Sequence, residues 1–562
     1  MNYPNGDRLS WGDSVFLNLE REGMPLNVGC ICVLEGEVPF ETYVRFVESR
    51  LPRIPRYQMR LAPSPLNLSL PCLEYDPDFS IRNHIREVTL KHGSDAELQL
   101  LAATLFGEVL DRKYPLWDLT LVRGLKGNRT GLIARLHHCL ADGIAGVGVM
   151  SALMDATPEM PRLPKRKARA GVPPNREAAP NFVNGLADSY SDFSERILSA
   201  WGGLLNFATQ SLARRESLAQ LMREDASHDD FSELMPEISA PTERLRFNAL
   251  YTGPQKFAFT EIPLADVKAI KSSCGATVND VLLALITATV RRYSELHGDD
   301  VKGRLFRVMV PVNLRSSDTS TEMGNSISLI AVTVPLDIRD PKKLLAAVHR
   351  RTEFLKHARA AELVGLAGGL LGVLPFPMQS VVGPLISRLP VTPFNMVCTN
   401  VPGPQFPLYV LGHKMTQWYP YVPVGGEMSL NCALLSYNGA VYFGFSGDAH
   451  IASDLPRLEK LLQSSFTELR ESARIRSPKR RSARKSAGAV RRSSTRKRAS
   501  SLREQAAEPV VPQLPMQLAV PRAGAPESAV QAMRARTRPD ARATAAPHPF
   551  SEEQLVAPTV AG

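Results

Sequence analysis

Gly131-Leu-Ile-Ala-Arg-Leu-His137-His138-Cys139-Leu140-Ala141-Asp142-Gly143 passes from an apolar run into a polar turn, and a Gly-, Ala- and Val-rich run follows over 144–154. The spacing predicts a short strand over 131–136. A helix is expected after the turn, because Ile144, Val147, Met150 and Met154 recur about one turn apart. The two histidines therefore sit on a strand-to-helix turn. Successive strand side chains point to opposite faces, so while strand geometry lasts His137 and His138 do not share one cavity. One of them is expected to meet substrate and the other to be structural.

Neutral imidazole is matched near pH 7 to take a proton from an alcohol or thiol. A histidine held at a turn over a cavity is thus a candidate general base. Asp142 has two open roles, bonding an imidazole directly or pairing with an arginine to stiffen the turn. Gly143 is expected to let the backbone pass tightly into the helix. A metal site is the rival reading, but no third His, Cys or Glu lies at ligand spacing nearby, and none is expected.

The pattern HHxxxDG resembles the signature of the coenzyme A-dependent acyltransferases, which include chloramphenicol acetyltransferase and peptide-synthetase condensation domains. Further segments narrow the resemblance to the bacterial wax ester synthase/diacylglycerol acyltransferase family. They are Leu9-Ser-Trp-Gly-Asp13 with Val15-Phe16-Leu17, Pro115-Leu-Trp117, Gly275-Ala-Thr-Val-Asn279-Asp280, Val310-Pro-Val-Asn-Leu-Arg315, Gly324-Asn325 and Asn400-Val-Pro-Gly-Pro404. They occur in family order and cover roughly residues 5–472.

The resemblance implies an α/β fold of two chloramphenicol acetyltransferase-like domains, each a mixed sheet with helices, around a central cleft or tunnel. It implies transfer of a long-chain acyl group from acyl-CoA to diacylglycerol or a fatty alcohol, with acyl-CoA as co-substrate and no other cofactor. On this reading His138 is the base, while His137 and Asp142 position the turn. Arg315 is a speculative ionic partner of Asp142. Asn279 and Asp280 are second-rank site candidates, with helix capping by Thr277 or Asn279 the simpler role. Cys139 has no base of its own. The alternatives are a condensation-type transferase using a carrier-protein donor and a non-catalytic lipid-binding protein.

The rest of the chain fits this frame. The 562 residues are 44% hydrophobic, enough to bury cores for two domains. We expect an N-terminal domain over 1–157, a linker and amphipathic helical connection over 158–241, a C-terminal domain over 242–472 and a tail over 473–562. Strands are expected over 28–34, 119–124, 257–262, 304–312, 327–334, 395–399, 428–436 and 440–445, the last two joined by a hairpin turn at Tyr437-Asn438-Gly439. Asn400-Val-Pro-Gly-Pro404 reads as a rigid turn, and Trp117 as core. Residues 363–378 are apolar but broken by Gly and Pro, suiting a tunnel wall, a dip into a membrane surface or a buried helix.

Seven scattered cysteines suit reduced thiols in the cytoplasm. Residues 1–7 are polar, so no secretory signal is expected. Residues 471–505 carry 13 Lys and Arg against two Glu, a balance equal to the whole net charge of +11, so the body is near neutral. Beyond them the chain is Ala- and Pro-rich, and the tail is expected to be disordered. Its basic clusters suit an anionic surface, placing the protein at the inner face of the membrane or on lipid bodies. Nucleic acid is set second because no aromatic residue is interleaved for stacking, and an inert solvated tail is the remaining reading.

Overall fold

An apolar run without a polar face has to be covered on both sides. The runs 28–34 and 131–136 meet that demand as neighbouring central strands of one sheet. The computed structural model describes residues 9–62, 70–161, 163, 234, 236–237, 240–313, 327–357 and 394–475. Its first half runs α1 (Trp11–Leu19), β1 (Asn27–Glu35), α2 (Phe40–Glu48), β2 (Met59–Ala62), β3 (Cys72–Tyr75), β4 (Ile85–Thr89), α3 (Asp95–Phe106), β5 (Trp117–Leu125), β6 (Arg129–His137) and α4 (Gly143–Ala152). The second half opens with β7 (Gln255–Pro263), α5 (Leu264–Cys274), α6 (Val278–Leu296), β8 (Leu305–Asn313), β9 (Ile327–Pro335) and α7 (Pro341–His357). It closes with β10 (Met396–Pro402), β11 (Tyr409–Val410), β12 (His413–Tyr421), β13 (Leu430–Tyr437), β14 (Ala440–Asp448) and α8 (Arg457–Ser472).

Two six-stranded mixed sheets result, in the orders β11-β12-β1-β6-β5-β4 and β7-β14-β13-β10-β8-β9. The second half is therefore not self-contained. The segment from Tyr409 to Tyr421 leaves it and pairs antiparallel with β1, Tyr421 opposite Gly29 and Met415 opposite Leu34. β11 and β12 complete the first sheet, where pairing covers the edge of β1 that would otherwise stand open. Across this seam Phe106 of α3 stacks on Tyr421, with ring centroids 3.9 Å apart, and meets Phe257 of β7 edge to face.

Other local expectations meet their physical causes directly. At the β13–β14 hairpin Asn438 and Gly439 have φ of 44° and 86°, the left-handed pair that a two-residue primed turn requires. α2 stops at Glu48 and is followed by a 3-10 turn, Leu51–Arg53, where Pro52 cannot donate to an α-helical ladder. Asn400-Val-Pro is corrected from turn to strand: Asn400, Val401 and Pro402 pair in parallel register with Leu434, Leu435 and Ser436 of β13. The turn begins only at Gly403, whose N–H donates to the Ser436 carbonyl at 2.9 Å. Gly324-Asn325, Arg315, residues 363–378, most of the linker and the tail beyond 475 lie outside the described residues.

Candidate active site

β6 carries the strand into the histidine turn, and a buried ion pair fixes its register. Arg135 and Asp118 face each other across β5–β6 and are joined by two hydrogen bonds, Nε to Oδ1 at 2.8 Å and Nη2 to Oδ2 at 2.7 Å. The strand ends at His137. Asp142 then caps α4, its Oδ1 accepting the Ala145 N–H at 2.8 Å, and Gly143 is the first helical residue. Asp142 is thus placed at a helix N-cap, a role its residue type favours.

His137 is fully buried. Its Nδ1 accepts the Cys139 backbone N–H at 3.1 Å, which puts the ring proton on Nε2. That nitrogen lies 3.4 Å from Oε1 of Glu20, longer than a well-formed hydrogen bond. Burial alone would raise the Glu20 carboxyl. The opposing contacts with His137, the Leu26 N–H and Arg112 outweigh it and hold the group below the usual carboxylate value.

His138 lies one residue past the strand, with partial exposure and its own N–H on the Leu26 carbonyl at 3.0 Å. Its ring stacks on Phe16 of α1, centroids 3.8 Å apart and planes within 6°. Burial against such neighbours pulls its pKa down to about 4, and His137 adds to this against the opposing pull of its own backbone, Asp142 and Asp13. The ring is therefore neutral at pH 7 and open to accept a proton. Strand alternation separates the two histidines less than the sequence implied: one ring is buried and one partly exposed, yet both meet α1, through Glu20 and Phe16, because strand geometry has ended at His137.

Burial drives the Cys139 thiol far above its ordinary range, so a thiolate is not present near neutrality. Gly143 does not need unusual backbone angles. Its use is close approach, since a Cβ there would stand 2.8 Å from Cγ2 of Val401 on β10. Alternation on β10 turns the neighbouring Asn400 the other way, where its Nδ2 donates to Oδ1 of Asn279 near the start of α6 at 3.3 Å. The HHxxxDG turn and the Asn-Val-Pro strand are thereby in contact. We expect Gly143→Ala to lower turnover severalfold by pushing these elements apart, and Val401→Ala in the same chain to restore it; steady-state rates of both proteins check this.

Thr277, rather than Asn279, caps α6, in a reciprocal box with Asp280. Asp280 is fully buried and accepts from the Thr277 N–H at 2.8 Å and the Thr352 hydroxyl at 2.7 Å, with His349 Nδ1 at 2.8 Å. It ties α6 to α7. Trp117 is core, its Nε1 donating to the Tyr57 carbonyl at 2.7 Å and its ring stacked on His84. On the sheet face of Ala134 and Leu136, a narrow apolar crevice runs between α4 and the α2 region, lined also by Tyr57, Trp117, Met150 and Leu153. Among the described residues no three His, Cys, Asp or Glu side chains are grouped as metal ligands.

Sequence reading missed Glu20 and Arg112. Glu20 ends α1, far from the motif in the chain, and only the packing of α1 against the turn reveals it.

Comparison with known proteins agrees with this geometry. Residues 9–282 match the wax ester synthase/diacylglycerol acyltransferase catalytic domain, and residues 323–470 match the C-terminal domain of the same family. A probable diacylglycerol O-acyltransferase of Mycobacterium tuberculosis is 27% identical over 86% of this chain and 99% of its own. A second, putative one from that organism is 29% identical over 80% of this chain and 87% of its own. In fold, the chain resembles a wax ester synthase/diacylglycerol acyltransferase from Marinobacter aquaeolei VT8, with a TM-score of 0.56 and 22% identity over 83% of this chain and 100% of the other. It also resembles the first condensation domain of the calcium-dependent antibiotic synthetase, with a TM-score of 0.51 and 14% identity over 83% and 96% of the two chains. With both family domains matched in order around the histidine turn, the chain belongs to the wax ester synthase/diacylglycerol acyltransferase family and is an acyl-CoA-dependent O-acyltransferase.

Proposed function

We propose that the protein moves a long-chain acyl group from acyl-CoA to the free hydroxyl of diacylglycerol, and of fatty alcohols where these are supplied, with His138 as general base. The observation that carries this reading is the His138 ring itself, neutral, partly exposed and held flat against Phe16 at the end of a central strand. The relatives named as diacylglycerol O-acyltransferases support the first acceptor.

In this mechanism His138 takes the hydroxyl proton as the oxygen attacks the thioester carbonyl. The tetrahedral intermediate then collapses, the carbon–sulfur bond breaks, and the imidazolium returns its proton to the CoA thiolate. Ester and free CoA leave, and the base is regenerated. His137 and Asp142 hold the turn. Radiolabelled palmitoyl-CoA offered with dioleoylglycerol or hexadecanol separately tests the reading; labelled triacylglycerol is expected, and product from neither alcohol overturns it.

The water-insoluble acceptor calls for a lipid surface. We place the protein on the cytoplasmic face of the membrane or on lipid bodies, held by the basic clusters beyond Arg474, each cation near an anionic bilayer contributing about 1 kcal/mol before screening. Among the described residues no single helix is long and apolar enough to cross a membrane. Removal of residues 475–562 is expected to weaken co-sedimentation with anionic vesicles, most clearly at low salt, while turnover on dispersed short-chain substrates persists. Equal binding by both proteins would exclude the tail as the anchor.

A further inference from the structure

We propose that Glu20 is a positioning residue for His138, tying together contacts that hold the backbone on both sides of it. This inference rests on the reading of His138 as the base.

The chain at His138 is clamped by two hydrogen bonds, its own N–H to the Leu26 carbonyl and the next N–H, of Cys139, to the side-chain Nδ1 of His137. Both clamps run back to one carboxylate. Oε1 of Glu20 accepts the Leu26 N–H at 3.1 Å and lies 3.4 Å from the protonated Nε2 of His137. Oε2 accepts from Arg112 at 3.0 Å, and the same Arg112 nitrogen donates to the Leu17 carbonyl at 2.8 Å, so the carboxylate is itself held against α1. Phe16 lies one helical turn before Glu20 and stacks on the His138 ring. One turn of α1 thus supports both the ring and the backbone of the proposed base.

A buried carboxylate is expensive unless it is paired, and Glu20 is buried with three partners. Such a group orients its neighbours more than it touches substrate. Its loss should misplace the base without disturbing acyl-CoA binding, and misplacement by about 1 Å is enough to cost roughly a hundredfold in rate.

The test compares the parent, Glu20→Ala, Glu20→Gln, His138→Ala and the Glu20→Ala/His138→Ala double variant, reading kcat, KM for palmitoyl-CoA and melting temperature. Glu20→Ala is expected to lower kcat roughly 10- to 100-fold, as losses of orienting partners commonly do, with KM within about twofold. The double variant should be no slower than His138→Ala alone, because Glu20 acts only through that ring. Glu20→Gln keeps the shape and decides the case if the alanine protein aggregates; it should lose several-fold in kcat at unchanged KM. Parent-level kcat in a folded Glu20 variant, or a double variant slower than His138→Ala by the full Glu20→Ala factor, overturns the proposal. Near-parent turnover by His138→Ala would instead overturn the general-base reading, so the two failures are distinguishable.

Discussion

His138→Ala is expected to fold normally and to lose at least about a hundredfold in turnover, the ordinary cost of removing a general base. Folding should survive because the residue is partly exposed and the turn is held by backbone hydrogen bonds that alanine also makes. A folded alanine protein with near-normal turnover would remove His138 from the chemistry. Cys139→Ala should by contrast keep most activity, since burial keeps that thiol protonated; trapping of an acyl-cysteine in the parent would reverse this assignment.

The same residue sets the acid limb of the pH profile. Its pKa of about 4 leaves the base unprotonated well below neutrality, so kcat/KM should stay nearly flat to about pH 5 and fall below that. A histidine titrating at about 6.5 would already have lost roughly nine-tenths of its activity at pH 5.5. Rates with a dispersed short-chain acceptor across pH 4–8 separate the two.

The central turn was legible in the sequence because its evidence is local. An apolar run, a capping aspartate and a small-residue helix follow each other within 24 residues, 131–154, and each obeys its own short-range rule. The strand partners of that turn were not legible. In β12, His413–Tyr421, the polar residues come as adjacent pairs, His413-Lys414 and Thr416-Gln417, ahead of Trp418-Tyr-Pro-Tyr421, so no period-two pattern marks the strand or its sheet, and its pairing with β1 is decided by tertiary packing. Glu20 was hidden for the same reason. At the end of α1 it looks like any exposed helix-terminal acid, and only the approach of β6 buries it. At Gly143 the close neighbour is Val401 from the second half of the chain, which no local pattern contains.

Asp280→Ala is expected to cost about 3 kcal/mol of stability, the range found when one member of a buried, hydrogen-bonded charge cluster is removed. The carboxylate is fully buried, caps α6 through the Thr277 N–H, and accepts from Thr352 while contacting His349 on α7. Alanine would leave the Thr277 N–H without its acceptor, which costs more than the bond itself contributed, and would leave the Thr352 hydroxyl only the His349 carbonyl, 2.9 Å away. Burial pushes the Asp280 carboxyl up, but the hydrogen bonds from Thr352, Thr277 and His349 outweigh it and hold the folded pKa below the ordinary value of 3.8. Its contribution is therefore complete above the ordinary carboxylate range and is lost as pH falls through the lowered folded value. Equilibrium denaturation of parent and Asp280→Ala proteins at pH 7 measures the difference, and the gap should narrow in acid. A variant as stable as the parent but inactive would move Asp280 from the helix framework into contact with substrate.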